Sequence, residues 1–443
     1  MTFHVNHIHI LLQAVSAKIT ALPYSTKRGF RISSAAIALL SAAVVLTGCN
    51  DSNRYGASDQ GHLSEENIDE NATGHTITVH ESRMDTGASD SRVHSKPDRW
   101  SVTTGSEPAS QTVRDMFGRI VIIPKDVERV IALRAGALRM LTYLDGVELV
   151  AGIEEPERRA DRPYLFAYPE LRELPPVGPQ MGGDPELLVA AAPDLIFLTF
   201  TSRGQADELQ ERTDIPVIAL EYGDFSENRE TFFSSLRLMA EVIGKTGRAD
   251  TLIADIRSSI AELKERTSGI PDEERPRVYI GGVSYRGARG ITSTEPHYPP
   301  FRFIQANNVA GSIHQRLINP IQGTYIDREQ LIVWDPDVLF VDLSSLGTAG
   351  PDIRPGTPLA RSLSAVRNSE VYGVLSYNNY AANYEAILAN AWYAGTVLYP
   401  DRFDDIILSD KANQIFQMFF GRTIYNDIQT RYGGYRRLNP EQL

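Results

Sequence analysis

The sequence predicts an α/β fold: two α/β lobes with mainly parallel sheets, bridged by a long α-helix. Three observations carry this. A fourteen-residue segment occurs twice, 143 positions apart, at Asp184–Phe197 and Asp327–Phe340. Each copy reads as a helix, a Pro-Asp break and a strand. Strands and helices also alternate through the chain from Thr112 onward, as they do around parallel sheets. Between the two copies lies a region of helical periodicity, from about Asn228 to Arg266.

In the repeat, Asp184 and Asp327 suit the helix N-cap, and Pro185 suits the first helical position. Pro193 and Pro336 end each helix, because proline disfavours helical geometry in the residue before it. Leu195 to Leu198 and Val338 to Val341 are apolar runs that suit strands buried on both faces. Each copy sets one glutamate, Glu186 or Glu329, in an exposed first helical turn. The helix dipole accounts for an acid there, at roughly 0.3–1 kcal/mol. It does not account for two acids at one offset in matched segments.

The chain has 443 residues, 42% of them hydrophobic and 23% charged, as expected for two lobes or domains. Residues 1–48 carry no Asp or Glu and four cations, Lys18, Lys27, Arg28 and Arg31. The apolar stretch from about Ala35 to Leu46 is short for a bilayer span and fits a signal-peptide core. It ends in Leu46-Thr47-Gly48-Cys49, the pattern of a bacterial lipoprotein signal in which the cysteine is lipidated. Cys49 is the only cysteine, so intrachain disulfides are excluded. The expected location is therefore the periplasm or cell surface, with Cys49 anchored in a membrane. Without residues 1–48 the net charge is −16, since 40 Lys and Arg remain against 56 Asp and Glu. That excludes a nucleic-acid binder and a polybasic membrane patch.

Residues 49–110 are polar and without aliphatic periodicity, and read as a disordered tether. His62, His75, His80 and His94 in it read as solvated side chains. Order begins near Thr112. The expected elements are a hairpin over Thr112 to Pro124, a strand over Arg129 to Leu133, a helix over Ala135 to Leu144 and a strand over Leu149 to Ile153. The first repeat copy, a helix near Gln205 to Arg212 and a strand over Pro216 to Leu220 complete an N-terminal lobe, 111–227. The connecting helix occupies 228–267, with Gly244 and Gly247 breaking or kinking it. The C-terminal lobe, 268–443, opens with the strand Arg277 to Gly281. It holds the second copy, a strand over Val371 to Leu375, a helix from about Ala382 to Leu398 and a final helix from about Lys411 to Phe420.

No phosphate loop, dinucleotide fingerprint, zinc motif, cysteine nucleophile or nucleophile elbow is present, so nothing marks an enzyme. Arg and Tyr do collect in loops after strands, where open α/β sheets bind ligands. Arg134, Arg203 and Tyr222 follow strands of the first lobe. Tyr285, Arg286, Arg289 and Tyr377 follow strands of the second. Arginine holds buried anions through a planar, always-charged fork, and tyrosine adds a flat apolar face with a polar tip. These seven residues are the expected ligand contacts, in a cleft between the lobes. Surface loops also carry such residues, and Tyr377, Tyr380 and Tyr384 equally read as packing at a helix entrance. No metal-ligand set is expected, although a direct ferric site built from tyrosines stays open.

Asp115-Met116-Phe117-Gly118-Arg119 through Pro124, Arg129-Val130-Ile131-Ala132-Leu133 and both repeat copies resemble one family. So do Gly290-Ile291-Thr292-Ser293-Thr294, Asn308-Val309-Ala310-Gly311, and Asn383-Tyr384-Glu385 to Tyr399-Pro400. Over about residues 112–425 the chain is similar to the periplasmic substrate-binding proteins of iron-siderophore, haem and cobalamin ABC importers. The resemblance implies two lobes joined by one long helix and a glutamate on each lobe that docks on the membrane permease dimer, here Glu186 and Glu329. It implies a monomer with no resident cofactor. Its cargo is a small-molecule metal complex, a ferric siderophore first, with haem or cobalamin as the alternative. A lipid-anchored enzyme on a related two-lobe scaffold and an adhesion lipoprotein stay open beside it.

Overall fold

The computed structural model describes residues 110–318 and 323–443. The chain divides into two units, Met1–Asp98 and Arg99–Leu443, and the description concerns the second. The expected signal peptide, Cys49 and most of the tether lie outside the described residues.

A hairpin opens the first lobe, with β1 (Ser110–Arg114) antiparallel to β2 (Ile120–Pro124). Its turn is fixed by Asp115, whose carboxylate accepts from the backbone N–H groups of Phe117 and Arg119 at 3.0 and 2.9 Å. Then come β3 (Val130–Leu133), α1 (Ala137–Tyr143), β4 (Val150–Gly152), α2 (Pro185–Ala191), β5 (Leu195–Leu198), α3 (Arg203–Thr213) and β6 (Val217–Ala219). The strands form a parallel sheet of order β4-β3-β5-β6. Both central strands, β3 and β5, are buried at every position, as a sheet covered on two faces requires.

The connector is a pair of helices, α4 (Arg229–Val242) and α5 (Thr246–Arg266), which pack on one another. Gly244 lies between them in left-handed backbone, φ 71°, where a side chain would be strained. Thus α5 alone, 21 residues or about 31 Å at 1.5 Å per residue, is the long bridge.

The second lobe holds β7 (Arg277–Gly281), β8 (Ser293–Thr294), β9 (Asn307–Asn308), β10 (Thr324–Tyr325), α6 (Arg328–Trp334), β11 (Val338–Asp342) and β12 (Val371–Val374). α7 (Tyr384–Leu398), α8 (Leu408–Phe420), α9 (Tyr425–Tyr432) and β13 (Arg436–Arg437) follow. The sheet order is β13-β12-β11-β7-β9, parallel except that β13 runs antiparallel on the edge. The helix at Lys411–Phe420 is not the last. α9 and β13 follow it, in a tyrosine-rich stretch with weak apolar periodicity. Tyr168 donates to the Phe420 carbonyl at 2.5 Å, and Tyr432 to the Asp161 carbonyl at 2.7 Å. These late elements therefore also hold the first lobe.

The duplicated segment folds twice in the same way. α2 and α6 both end on a left-handed residue directly before proline, Ala192 at φ 47° and Asp335 at φ 37°. Asp194 accepts from the N–H of Arg129, directly before β3, and Asp337 from the N–H of Arg277, the first residue of β7, both at 2.8 Å. The caps differ. Asp184 accepts from Glu186 and Leu187 N–H at 3.0 and 3.2 Å, whereas the Asp327 side chain makes no capping bond.

Candidate functional site

Because each sheet is parallel, its loops after the strands gather at one edge. In the first lobe that edge carries Arg134 after β3, Glu154 after β4, Phe200 after β5 and Tyr222 after β6. In the second it carries Ser284 and Tyr285 after β7, Ser344 after β11, and Ser376 and Tyr377 after β12. Hydrogen bonds bring the two edges together. Tyr222 donates to the Ala382 carbonyl at 2.8 Å, and Tyr384 donates to the Tyr222 carbonyl at 2.8 Å. The Tyr380 hydroxyl donates to Glu154 and accepts from the Met181 N–H at 3.2 Å.

The backbone here is unusual. Arg134, Met181, Phe200, Arg286, Tyr380 and Ala381 all have positive φ, between 46° and 73°. That conformation is costly for residues other than glycine, by roughly 1–3 kcal/mol each, and such residues cluster where geometry serves a function. Phe200 is also 52% exposed, with its ring 5.7 Å from that of Tyr222. The strain thus aims an apolar ring and a cation at the space between the strand ends.

Arg134 is the cation of that space. Its Nη1 donates to the Phe200 carbonyl at 2.7 Å and to Gln205 Oε1 at 3.0 Å, while its buried Nε has no partner. Burial lowers its pKa, against the raising influence of Glu154 and Tyr380. The Glu154 carboxyl is pushed up by burial, although the Tyr380 hydroxyl bond opposes the shift. Arg162 stacks on the Tyr380 ring, 4.4 Å from its centre, and pairs with Glu157 in a buried ion pair. Asp342 ends β11 fully buried, and burial pushes its carboxyl up to about 6 despite bonds from Ser344 and Tyr377. The site therefore offers the Arg134 guanidinium, which forms no salt bridge among the described residues, with hydroxyls and apolar ring faces.

Of the seven expected contacts, Arg134, Tyr222 and Tyr377 stand at the facing edges. Tyr222 is buried and stacks on Tyr384 at 5.0 Å, so it holds the lobes together. Tyr377 is partly exposed, with its ring 5.4 Å from Tyr298. Tyr285 is buried and its hydroxyl donates to Glu295. Arg289 turns back onto the Tyr285 carbonyl at 2.6 Å. Arg203, in the first turn of α3, and Arg286 are exposed. The docking candidates Glu186 and Glu329 are exposed in the first turns of α2 and α6.

The sequence reading missed Arg139, Glu154, Arg162 and Met181, and read Tyr380 as packing. Arg139 had a legible signal: it is the only charge in Ala137–Tyr143, a helix otherwise apolar but for Thr142. Two cavities lie away from the strand ends. One of about 750 Å³ is lined by Phe225, Arg229, Lys264 and Arg302, and one of about 370 Å³ by His314, Tyr325, Gln330 and Trp334. The convergence of both sheet edges and the cluster of left-handed residues make the strand ends the candidate site. Among the described residues no three His, Cys, Asp or Glu side chains gather to hold a metal ion, and no helix is long and apolar enough to cross a membrane.

Residues 130–377 match the family model described as periplasmic binding protein. The chain is 23% identical over 343 residues to the molybdate-binding protein MolA of Haemophilus influenzae, covering 72% of this chain and 92% of MolA. The structure of MolA bound to molybdate is similar with a TM-score of 0.56 at 21% identity, over 71% of this chain and 98% of that one. An ABC transporter solute-binding protein from Sulfurospirillum deleyianum is similar with a TM-score of 0.56 at 23% identity, over 72% and 98%.

Proposed function

Since the chain belongs to the periplasmic binding protein family, we propose that it captures an anionic metal complex between its lobes and presents it to an ABC permease. It is the substrate-binding component of an ABC transporter of that class. The carrying observation is the meeting of two parallel-sheet edges around Arg134, whose Nε is buried without a partner. Arg134, with Tyr380 and the exposed Phe200 ring beside it, supports an anionic cargo with apolar bulk, and Tyr222 and Tyr377 belong to the facing strand ends. The ferric-siderophore reading rests on the sequence resemblance. On this reading Arg203 and Arg286 belong to the outer rim, Tyr285 and Arg289 support the loop after β7 behind it, and haem and cobalamin are the alternatives. The lobes are 111–227 and 268–443 about the connector 228–267, and Cys49 tethers the protein outside the cytoplasm. Glu186 and Glu329 dock on the permease, and the protein acts as a monomer without catalysis.

A second reading has a specific observation in its favour: the relative covered over 92% of its length binds molybdate. A small oxyanion would also take the Arg134 guanidinium.

The test is thermal unfolding of the full chain with molybdate, a ferric tris-catecholate, the iron-free catecholate, haem and cobalamin. A ligand at a hundred times its Kd adds about 2.7 kcal/mol of stability. Stabilisation by the ferric complex and not by its iron-free form selects the iron cargo. Stabilisation by molybdate alone selects the oxyanion, and no stabilisation by any of them overturns the anionic-cargo reading.

A further inference from the structure

Arg139 is 0% exposed and lies in α1 of the first lobe, yet most of its bonds reach the second. Its Nη1 donates to the Tyr222 hydroxyl at 2.9 Å and to the Tyr380 and Ala382 carbonyls at 3.2 and 3.0 Å. Its Nη2 donates to the Asn379 carbonyl at 2.8 Å and to Asn383 Oδ1 at 2.6 Å. Burial opposes the charge, but Tyr222, Tyr143 and Glu385 outweigh it and raise the pKa above the ordinary arginine value. The five acceptors are divided between two nitrogens, three on Nη1 and two on Nη2, which a guanidinium fork can serve and a single ammonium cannot.

The segment it holds is strained. Tyr380 and Ala381 are consecutive left-handed residues, φ 58° and 73°. Two such residues persist only where surrounding bonds fix them. Held there, Tyr380 projects into the first lobe, with its hydroxyl between Glu154 and Met181 N–H and its ring under Arg162. Glu154 and Tyr380 are also the groups that act on the Arg134 charge.

We propose that Arg139 is the positioning residue of the ligand site: it locks Asn379–Asn383 across the lobe boundary and thereby makes Tyr380 a specificity-determining side chain beside Arg134. The inference rests on the binding reading above for its specificity part, and on the structure alone for the lock. Arg139 touches no ligand. Its effect on binding passes through the position of Tyr380.

The experiment compares the full chain with Arg139→Lys, Tyr380→Phe and the double variant. Amide hydrogen exchange reads the lock without any ligand. Arg139→Lys should speed exchange in 379–383 by at least about tenfold, while β5 and β11 stay unchanged. Calorimetric Kd values for molybdate and for a ferric tris-catecholate read the site. Each single variant should shift the ratio of the two Kd values, or the one measurable Kd, by at least about fivefold, and the double variant no further than the larger single effect, because both act through one side chain. Unchanged exchange in 379–383, or additive effects of the two substitutions, would overturn the proposal. If Arg139→Lys fails to fold, Tyr380→Phe decides alone: an unshifted ratio or Kd removes the specificity role. If the parent binds neither probe, the anionic-cargo reading fails and exchange alone judges the lock.

Discussion

Gly136 leaves the Tyr222 ring no room for a side chain: a Cβ on Gly136 would stand 2.0 Å from Tyr222 Cε2. Gly136 is also left-handed, φ 80°, and caps the start of α1. Tyr222 cannot simply move aside. It is stacked on Tyr384 and hydrogen-bonded to Arg139 and Ala382. Gly136→Ala therefore meets two costs, about 1–2 kcal/mol for left-handed backbone and about 1–3 kcal/mol for overpacking. Urea unfolding should show a loss of at least about 2 kcal/mol, the sum of the two lower bounds. A variant within 0.5 kcal/mol of the parent, roughly the range of neutral surface changes, would mean the ring is not held as described.

Asp342 gives a pH dependence with a definite sign. Its folded pKa, about 6, lies above the ordinary aspartate value of 3.8, so the folded state binds the proton more tightly than the unfolded chain. The cost of burying its charge is fully present above pH about 6, and it is relieved as pH falls toward about 4. Two pKa units correspond to about 3 kcal/mol. The carboxyls of Glu154 and Glu385 are shifted the same way, chiefly by burial. Subtracting the unfolding free energies of Asp342→Asn from those of the parent at each pH isolates the one group. The parent should gain on the variant between pH 6 and 4. Parallel curves across that window would show that Asp342 is not a buried titrating acid.

The repeat was legible because its rules are local. Proline disfavours the right-handed helical region in the residue before it, so both helices stop at that residue, Ala192 or Asp335. Strand runs such as Leu195–Leu198 were legible because burial on both faces leaves a continuous apolar signature. Arg134, Tyr222 and Tyr377 were legible because parallel sheets present the ends of their strands together. Arg139 was legible as a lone charge in an apolar helix, but its pairing with Tyr380 was not, because the meaning of each lies in the other. They are 241 positions apart, and nothing local in Asn378–Ala382 declares that an arginine from another lobe holds it. The stop at Gly244 was legible, but the packing of α4 on α5 was not, since periodicity records an apolar face and not its partner.

Arg119 ties the first hairpin to the sheet edge. It bonds Asp115 at 2.9 Å, Asp207 at 2.6 Å, Gln210 at 3.0 Å and the Val217 carbonyl at 2.7 Å, and is 4% exposed. Removing one partner of a buried pair leaves the other charge uncompensated, which costs about 3–5 kcal/mol. Arg119→Ala should lose stability on that scale. None of its partners belongs to the strand-end site, so the Kd for any cargo should stay within about twofold of the parent, as expected for distant independent sites. A stability loss under 1 kcal/mol would sink the buried-pair account, and a large change in Kd would show that the hairpin reaches the site.

If Glu186 and Glu329 dock on the permease as proposed, their substitution separates delivery from capture. Both are exposed in the first turns of matched helices, and neither forms an ion pair among the described residues. Their neighbourhoods are partly apolar, with Leu187 at 43% and Val189 at 51% exposure near the first, and Tyr325 at 51% and Val333 at 77% near the second. An acid amid exposed apolar residues suits an interface in which a charge sets register and apolar area adds affinity. Reversing the charges, Glu186→Arg with Glu329→Arg, places like charges against permease cations and costs several kcal/mol on docking. Cargo uptake by cells carrying the double variant should fall by at least about a hundredfold, the equivalent of roughly 2.7 kcal/mol. The Kd of the isolated protein for the same cargo should not change. Uptake at the parent's rate would remove both glutamates from the docking surface. Uptake lost together with binding would place the defect in the fold.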